Sequence, residues 1–413
     1  MFNKSLMAGA CLMSLVCGAL APVRAEELKA EVMHFWVSGG ESAAIKVVAN
    51  AFEKRGGKWV DNAVVGGGAA KQAGISRIQG GNPPTAMMWN IGVDVTELAS
   101  SGLLNSVDDV AKKEDWQSFL PPSVWKNMNY EGHVVAVPLN IHGENWIYGN
   151  AKVLADAGVE MPKTWDDFFA AADKIKAKGL LPLAVGGEPW QEVIILRAIV
   201  AGDSADFYRK VFVDRDAGAA ASPEMRKAFE TLARIKALAD PGSPGRKWND
   251  ATNMVITGKA AFQIMGDWAK GEFTAAGLTP GKDFACALPP GGGTGYIIAV
   301  DAFTFPKTAD VSAIKAQQML AETMMDKDVQ IAFNKVKGSV PVRLDVDPSS
   351  FDACGKLAFK ILSDPANQLP NAALALSGDM EGGIEDLVGS FWTEANPDID
   401  ATVKAFAGLI AAK

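Results

Sequence analysis

Hydrophobic residues change their spacing along the chain, from every second residue to every third or fourth and back. Ile45, Val48 and Phe52 share one face of a helical pattern that Gly56 ends, and an apolar β-type run precedes it. The pattern predicts strands at 28–37, 59–65 and 85–89, and helices at 41–55 and from the glycine turn at 66–68 to about 79. Alternating strands and helices are typical of parallel sheets covered by helices.

The same alternation restarts in the second half of the chain. In PKTWDDFFAAADKIKAKG, Thr164 and Asp167 have the spacing of a capping box, and Gly179 ends the helix. The strand pattern LLPLAVGG follows and leads into another helix at Trp190. Because no short repeat and no low-complexity linker separates the halves, the pattern predicts two α/β lobes joined by short crossovers.

The first 25 residues have the pattern of a secretory signal peptide. Lys4 precedes an apolar run at 6–21, and the segment ends at Ala25, a small residue suited to cleavage. A membrane anchor needs about 20 uninterrupted apolar residues, and Ser14 interrupts this shorter run. A lipoprotein anchor at Cys17 is less favoured because a valine, not a small residue, precedes it. We therefore predict export to the periplasm with cleavage after Ala25.

Formal charge narrows the class of partner. The 413-residue chain carries a net charge of −8. Loss of Lys4 and Arg24 with the signal segment would leave 38 basic side chains against 48 acidic ones, a charge of −10. Such a chain does not suit nucleic acid or an anionic membrane. The remaining 388 residues contain no second apolar stretch of membrane-spanning length. A chain of this length is too long for one typical hydrophobic core, which favours two lobes.

Two cysteines, Cys286 and Cys354, remain after the signal segment. In an oxidising compartment they are candidates for a disulfide, which in the chain-entropy model would stabilise the fold by about 4 kcal/mol. Two separate buried thiols are the alternative. Neither cysteine has the close spacing of a metal or redox site, so no metal is predicted.

Motifs of catalysis are absent from the sequence. It contains no HExxH and no GxSxG, and neither GGGAAKQ nor TGKAA completes a phosphate-binding loop. No cofactor is predicted, and an enzyme is not favoured. A secreted carbohydrate hydrolase stays open as an alternative because sequence does not give the distance between two carboxylates. A passive surface or scaffold protein stays open as well.

Three segments carry a family resemblance over essentially the whole exported chain. PKTWDDF, GKAAFQIMGDW and VPLNIHGENWIYGN, in this order behind an export signal, resemble the extracytoplasmic sugar-binding proteins of ABC importers, and most of all the glucose/mannose-binding group. The resemblance implies a two-lobed periplasmic-binding-protein fold of type II, with a ligand cleft between the lobes. It also implies two partners, a small sugar and a membrane permease, and we expect a monomer.

The resemblance further implies that each lobe combines separate segments of the chain. Crossovers are expected near 137–140, 290–296 and 340–343. We expect residues 26–137 and 296–340 in an N-terminal lobe and residues 138–295 and 341–413 in a C-terminal lobe.

A sugar offers hydroxyl groups at its edge and apolar C–H patches on its faces, so its site needs aromatic faces and converging polar groups. Open α/β sheets bind ligands at the carboxyl ends of their strands, where Trp36 ends the first strand pattern. We expect Trp36 to stack on the sugar, with packing on its own sheet as the alternative. Glu41 has capping-box spacing from Ser38, and a carboxylate at a helix start can also accept sugar hydroxyls.

Three candidates follow in the second half. Trp268 closes GKAAFQIMGDW after a Gly-Asp turn, and the resemblance favours stacking on the sugar over a place in the core. Asp301 interrupts the apolar run YIIAVDAFTF, where its burial is costly unless a sugar hydroxyl or a cation such as Lys337 bonds it. A structural salt bridge is the alternative for Asp301. The resemblance makes Lys337 a ligand contact, against an exposed charge at a helix end.

The remaining candidates come from crossover and strand-end positions. His142 and Asn145 lie at the first expected crossover, where a hinge role for the histidine is the alternative. Trp190 and Asn90 follow strand patterns. The chain departs from the group where Phe35 replaces the first of two adjacent tryptophans, where Asn90 precedes no basic residue, and where ALSGDME lacks a histidine. The resemblance therefore implies a hexose or another small sugar without naming glucose.

Overall fold

The computed structural model describes residues 28–412, apart from the side chain of Ala373, so the predicted signal segment and its cleavage site lie outside the described residues. The strands are β1 Leu28–His34, β2 Gly57–Ala63, β3 Ala86–Asn90, β4 Asn129–Tyr130, β5 His133–Val134, β6 Ala136–Pro138, β7 His142–Gly143, β8 Trp146–Asn150, β9 Leu181–Leu183, β10 Ala260–Met265, β11 Phe284–Ala287, β12 Tyr296–Ala299, β13 Asp301–Thr304 and β14 Gln368–Pro370.

Twenty α-helices connect these strands within the described range. They are α1 Gly39–Lys54, α2 Gly67–Gln79, α3 Val93–Ser100, α4 Asp108–Lys113, α5 Trp116–Phe119, α6 Pro122–Asn127, α7 Ala151–Ala157, α8 Trp165–Ala177, α9 Pro189–Asp203, α10 Ala205–Tyr208, α11 Ala217–Ala220, α12 Pro223–Lys236, α13 Trp248–Ile256, α14 Ala269–Ala275, α15 Val311–Met325, α16 Lys327–Lys337, α17 Ala353–Leu362, α18 Ala372–Ala375, α19 Gly378–Thr393 and α20 Ile399–Ala411. Short π and 3-10 turns lie at Arg209–Val213, Pro348–Ser350 and Pro365–Asn367.

Local sequence explains where helices α1 and α8 begin. Ser38 accepts the backbone N–H of Glu41, and the Glu41 carboxylate accepts that of Ser38, so the predicted capping box starts α1. Thr164 and Asp167 form the second predicted box at the start of α8. The first strand is shorter than predicted and ends at His34, because the next residues form the loop that enters this capped helix.

A five-stranded sheet forms the first lobe, in the strand order β2-β1-β3-β13-β6. β1 runs parallel to β2 and β3, and β13 enters antiparallel between β3 and β6 although it lies far away in sequence. Helices α1, α15 and α16 pack against one another, and α15 also packs on β1. Their apolar faces bury a core that includes Val32, Val48 and Phe333.

A four-stranded sheet forms the second lobe, in the order β11-β8-β10-β9. All six residues of β10 are buried, as expected of a central strand with covered faces. Helices α9, α12, α19 and α20 pack beside it around a second core that contains Phe229, Phe262 and Phe391. The predicted α/β class with two lobes is confirmed.

A small third sheet lies where the chain passes between the lobes. β12 pairs with β14 on one side and with β7 on the other. These strands come from three distant parts of the chain, near two of the expected crossovers. The boundaries of 26–137 with 296–340 and of 138–295 with 341–413 stay predictions.

The two cysteines are bonded. Cys286 in β11 and Cys354 in α17 form a disulfide with a Cα–Cα distance of 6.0 Å, which confirms the predicted bridge. It joins the second sheet to a helix 68 residues further along the chain. Within residues 28–412, no helix is both long and apolar enough to cross a membrane.

Candidate functional site

Four strand ends and one strand start meet where the two lobes face each other. Asn90 ends β3, and Trp36, Trp190 and Trp268 lie in or just after the loops that follow β1, β9 and β10. β13 begins at Asp301, which lies opposite Asn90 in the antiparallel register. The structure therefore brings together side chains from the carboxyl ends of strands, the edge at which open α/β sheets bind ligands.

His142 forms the centre of a buried polar cluster, which we define as Asn90, Asn140, His142, Asp267 and Asp301. Its Nδ1 atom bonds Oδ1 of Asp267, and its Nε2 atom lies 2.8 Å from Oδ2 of Asp301. Burial alone would lower the pKa of His142, but the charges of Asp267 and Asp301 outweigh burial and raise this pKa to about 9. The ring is therefore an imidazolium at neutral pH, held between two carboxylates.

Asp301 is 4 % exposed, and both oxygens of its carboxylate are hydrogen-bonded within the cluster. Asn90 donates to Oδ1 at 2.8 Å, and Asn140 donates to Oδ2 at 3.1 Å, beside His142. Burial would raise the pKa of Asp301, yet the charge and hydrogen bond of His142, with a smaller effect of Lys337, lower it. The structure therefore gives this carboxylate a buried ion pair with His142, in line with the alternative of a structural salt bridge, and its contact with a ligand stays a prediction.

Asp267 is a member of the cluster that sequence reasoning missed. Its Oδ2 atom accepts the backbone N–H of Gly143 at 2.9 Å and the hydroxyl of Tyr296 at 3.3 Å. It is 2 % exposed and is the second residue after the buried strand β10. An acid at the end of so apolar a strand is the same signal that singled out Asp301. Asp267 ties β7, β12 and the loop of Trp268 together.

Trp36, Glu41 and Lys337 form what we call the first wall of the site. The Lys337 ammonium donates to Oε1 of Glu41 at 3.1 Å and lies 5.2 Å from the centre of the Trp36 ring. Trp36 is 1 % exposed and packs against Phe303 and Phe333, with ring centres 5.8 and 5.4 Å away. These three predicted ligand residues therefore satisfy one another, and their contact with a ligand stays a prediction.

Trp190 and Trp268 form the second wall. Their ring centres lie 6.3 Å apart, and both side chains keep part of their surface accessible. Trp268 meets the His142 ring edge to face at 5.3 Å, which joins this wall to the polar cluster. The indole N–H of Trp190 donates to Glu188 at 3.2 Å, and this bond fixes the orientation of the ring. The second wall thus offers aromatic surface next to hydrogen-bonding groups.

Asn145 is the predicted site residue that belongs to neither the polar cluster nor the two walls, and its contact with a ligand stays a prediction. Its side-chain amide donates to the carbonyl of Gly295 at 2.8 Å and accepts the N–H of Ile297 at 2.9 Å. Gly295 lies in the second expected crossover and Ile297 directly follows it, so Asn145 connects the two crossing segments. Among residues 28–412, no group of three or more His, Cys, Asp or Glu side chains is arranged to hold a metal ion.

Known proteins share this fold and much of this sequence. Residues 37–320 match the family described as bacterial extracellular solute-binding protein. A probable sugar-binding periplasmic protein of Brucella suis is 40% identical over 355 residues, which cover 85% of this chain and 84% of the relative. A protein of Mesorhizobium japonicum with the same description is 42% identical over 359 residues, covering 86% and 85%.

Solved structures agree on the fold. The structure of a chitin oligosaccharide binding protein superposes with a TM-score of 0.78 at 18% identity and covers 93% of this chain and 98% of its own. At that identity the likeness concerns the fold alone. The family match spans more than half of the chain, and the two relatives exceed 30% identity over most of it. The chain therefore belongs to family 1 of the bacterial extracellular solute-binding proteins.

Proposed function

We propose that this protein binds a small, hexose-like sugar between its lobes and delivers it to the permease of an ABC importer. The observation that carries the proposal is the second wall, where two partly accessible tryptophans lie beside the hydrogen-bonded His142 cluster. Aromatic faces suit the C–H patches of a sugar, and carboxylates and amides suit its hydroxyls. The description of the relatives as sugar-binding periplasmic proteins supports the same ligand class and a periplasmic location.

In the proposed mechanism, closure of the lobes is a population shift. The open form presents one wall to solvent, and a sugar that binds there gains further contacts only when the other lobe approaches. Trp268 and Trp190 supply stacking surface, and Asn90 and Asp301 supply hydrogen-bonding groups. Trp36, Glu41 and Lys337 form the first wall, on the other side of the site. The closed monomer is the form that the permease would recognise.

A thermal-shift screen of the exported chain tests the proposal. Monosaccharides, disaccharides and polyols are added separately, and a bound sugar should raise the melting temperature in a concentration-dependent way. An affinity near micromolar corresponds to about −8 kcal/mol. A flat screen that includes glucose, mannose and galactose would refute sugar binding.

No observation favours the hydrolase alternative. The family consists of binding proteins, and the two buried carboxylates of the cluster, on Asp267 and Asp301, are both bonded to His142. Incubation of the protein with each stabilising glycoside should leave the glycoside intact. Release of a product would overturn this part of the proposal.

A further inference from the structure

The first turn of α1 has a backbone donor that its own capping residues do not satisfy. Within this turn, Ser38 and Glu41 bond each other's N–H groups, but they leave the N–H of Gly40 free. The partner of that N–H comes from the second lobe. Oε1 of Glu272, in the helix α14 that follows β10, accepts it at 2.8 Å.

Of the two glycines that begin α1, only Gly40 has to be a glycine for α14 to approach. A Cβ atom on Gly40 would lie 2.8 Å from the backbone carbon of Gly271 and 2.9 Å from the Glu272 carboxylate, closer than real Cβ contacts. A Cβ atom on Gly39 would lie 3.5 Å from Glu272, which is an ordinary contact. Neither glycine has a positive φ. At Gly40, the absence of a Cβ atom is therefore required by the contact with α14 and not by the backbone conformation of α1.

We propose that Glu272 is a positioning residue for ligand capture, which caps the first turn of α1 from the opposite lobe when the lobes close. The proposal rests on the sugar-binding function above. The turn that it holds connects Trp36 to Glu41, and Glu41 in turn bonds Lys337. Closure therefore fixes the first wall through a charged hydrogen bond, a class stronger than a neutral one.

The contact belongs to the closed form for a physical reason. When the lobes separate, water can bond both the N–H of Gly40 and the Glu272 carboxylate, so the open form loses little. The capping box of Ser38 and Glu41 lies entirely within α1 and keeps the helix start intact. Loss of the interlobe bond should thus change the open–closed equilibrium, and with it the sugar affinity, more than it changes the stability of the sugar-free protein.

Gly40→Ala and Gly39→Ala form a matched pair that tests the proposal. Both add one methyl group to the same helix turn, and only the first collides with Gly271. We expect Gly40→Ala to weaken binding of the best sugar from the screen by roughly tenfold or more, measured by titration calorimetry. Gly39→Ala should bind within about twofold of the wild type, since its added Cβ makes only an ordinary contact.

Glu272→Ala and Glu272→Gln form the second pair. Alanine removes the acceptor and should weaken sugar binding by roughly five- to tenfold, whereas glutamine keeps an acceptor oxygen and should recover part of the affinity. Glu53→Ala, an exposed carboxylate in the last turns of α1, controls for the loss of one negative charge. The radius of gyration from small-angle scattering, with and without sugar, reports closure directly.

The outcomes separate the two proposals. If the wild type binds no sugar, the proposed function fails. If the wild type binds and Gly40→Ala binds equally well, or Gly39→Ala weakens binding as much as Gly40→Ala, the role of Glu272 is refuted. It is also refuted if Glu272→Ala lowers the melting temperature of the sugar-free protein as much as that of the liganded protein, because the contact would then be permanent.

Discussion

Trp36 in the first wall is 1 % exposed and lies under the Lys337 ammonium, whereas Trp190 and Trp268 in the second wall keep part of each ring accessible. All three follow strands, Trp36 in the first sheet and the other two in the second sheet. A buried indole that packs on two phenylalanines stabilises the lobe whether or not a ligand is present. An accessible indole beside polar groups has surface left to contribute to a ligand. Equivalent places in the topology therefore allow two different roles, which burial distinguishes.

Replacement of Trp36 gives the largest expected effect and tests the supporting role directly. Trp36→Ala should lower the free energy of unfolding of the sugar-free protein by about 3–5 kcal/mol, because it removes a fully buried indole from between Phe303 and Phe333. Urea denaturation measures this loss. Trp268→Ala is the matched control, and its loss should be clearly smaller. Equal losses would mean that both walls are core and would remove the distinction between them.

The second largest expected effect is the pH dependence of stability, and it comes from the charge of His142, which lies between the walls. Its pKa is raised to about 9 in the fold by Asp267 and Asp301 despite burial. A raised pKa means that the stabilisation is complete below about pH 6.5 and is lost as the pH rises through about 9, a change of roughly 3 kcal/mol for this single group. The lowered pKa of Asp301 acts in the opposite direction and weakens the fold only in acid.

Urea denaturation of the wild type between pH 6 and 9.5 measures that loss. His142→Gln should be less stable than the wild type at pH 6, because it leaves two buried carboxylates without a cation. The difference between the two proteins should shrink towards pH 9.5. A difference that stays constant over this range would show that the histidine carries no charge in the fold.

The sequence predicts the strands and helices better than it predicts the contacts between distant residues. Strand and helix periodicity, two capping boxes and the cysteine pair are local or compositional signals, and the structure contains the elements that they predict. The three-stranded sheet at the crossovers cannot be predicted in this way. Strands β7, β12 and β14 are each only two to four residues long, and their paired residues lie about 70 to 160 positions apart in the chain. The expectation that Asp301 needs a partner came from its apolar surroundings alone.

The side-chain contacts between distant residues of the site cannot be predicted from this sequence. Glu41 and Lys337 are 296 positions apart and His142 and Asp267 are 125 apart, so nothing local indicates either contact. Asp267 has the same signal as Asp301, an acidic residue next to an apolar strand, but that signal alone does not indicate that it bonds His142. The segment of Asn145 predicts a place near the ligand, but it does not predict that its amide bonds the backbone of Gly295 and Ile297.

Replacement of Trp268 tests the second wall and should affect binding more than folding. Trp268→Ala should weaken affinity for the best sugar by about 2 kcal/mol, or roughly thirtyfold, because a partly accessible ring at the centre of a binding site carries much of the contact energy. Titration calorimetry measures the change. Trp36→Phe, which keeps an aromatic ring in the core, is the comparison. If it weakens binding as much as Trp268→Ala does, the first wall contacts the sugar too.

Replacement of Trp190 should give the smallest effect and separates the presence of a ring from its orientation. Trp190→Phe keeps an aromatic face but loses the N–H that donates to Glu188, so affinity should fall by about 1 kcal/mol, or roughly fivefold. Glu188→Ala leaves the indole in place and releases it from the same bond. If fixed orientation matters, both variants should weaken binding by similar factors, as measured by tryptophan fluorescence titration and calorimetry. If only Trp190→Phe weakens binding, the size of the indole and not its orientation contributes to the second wall.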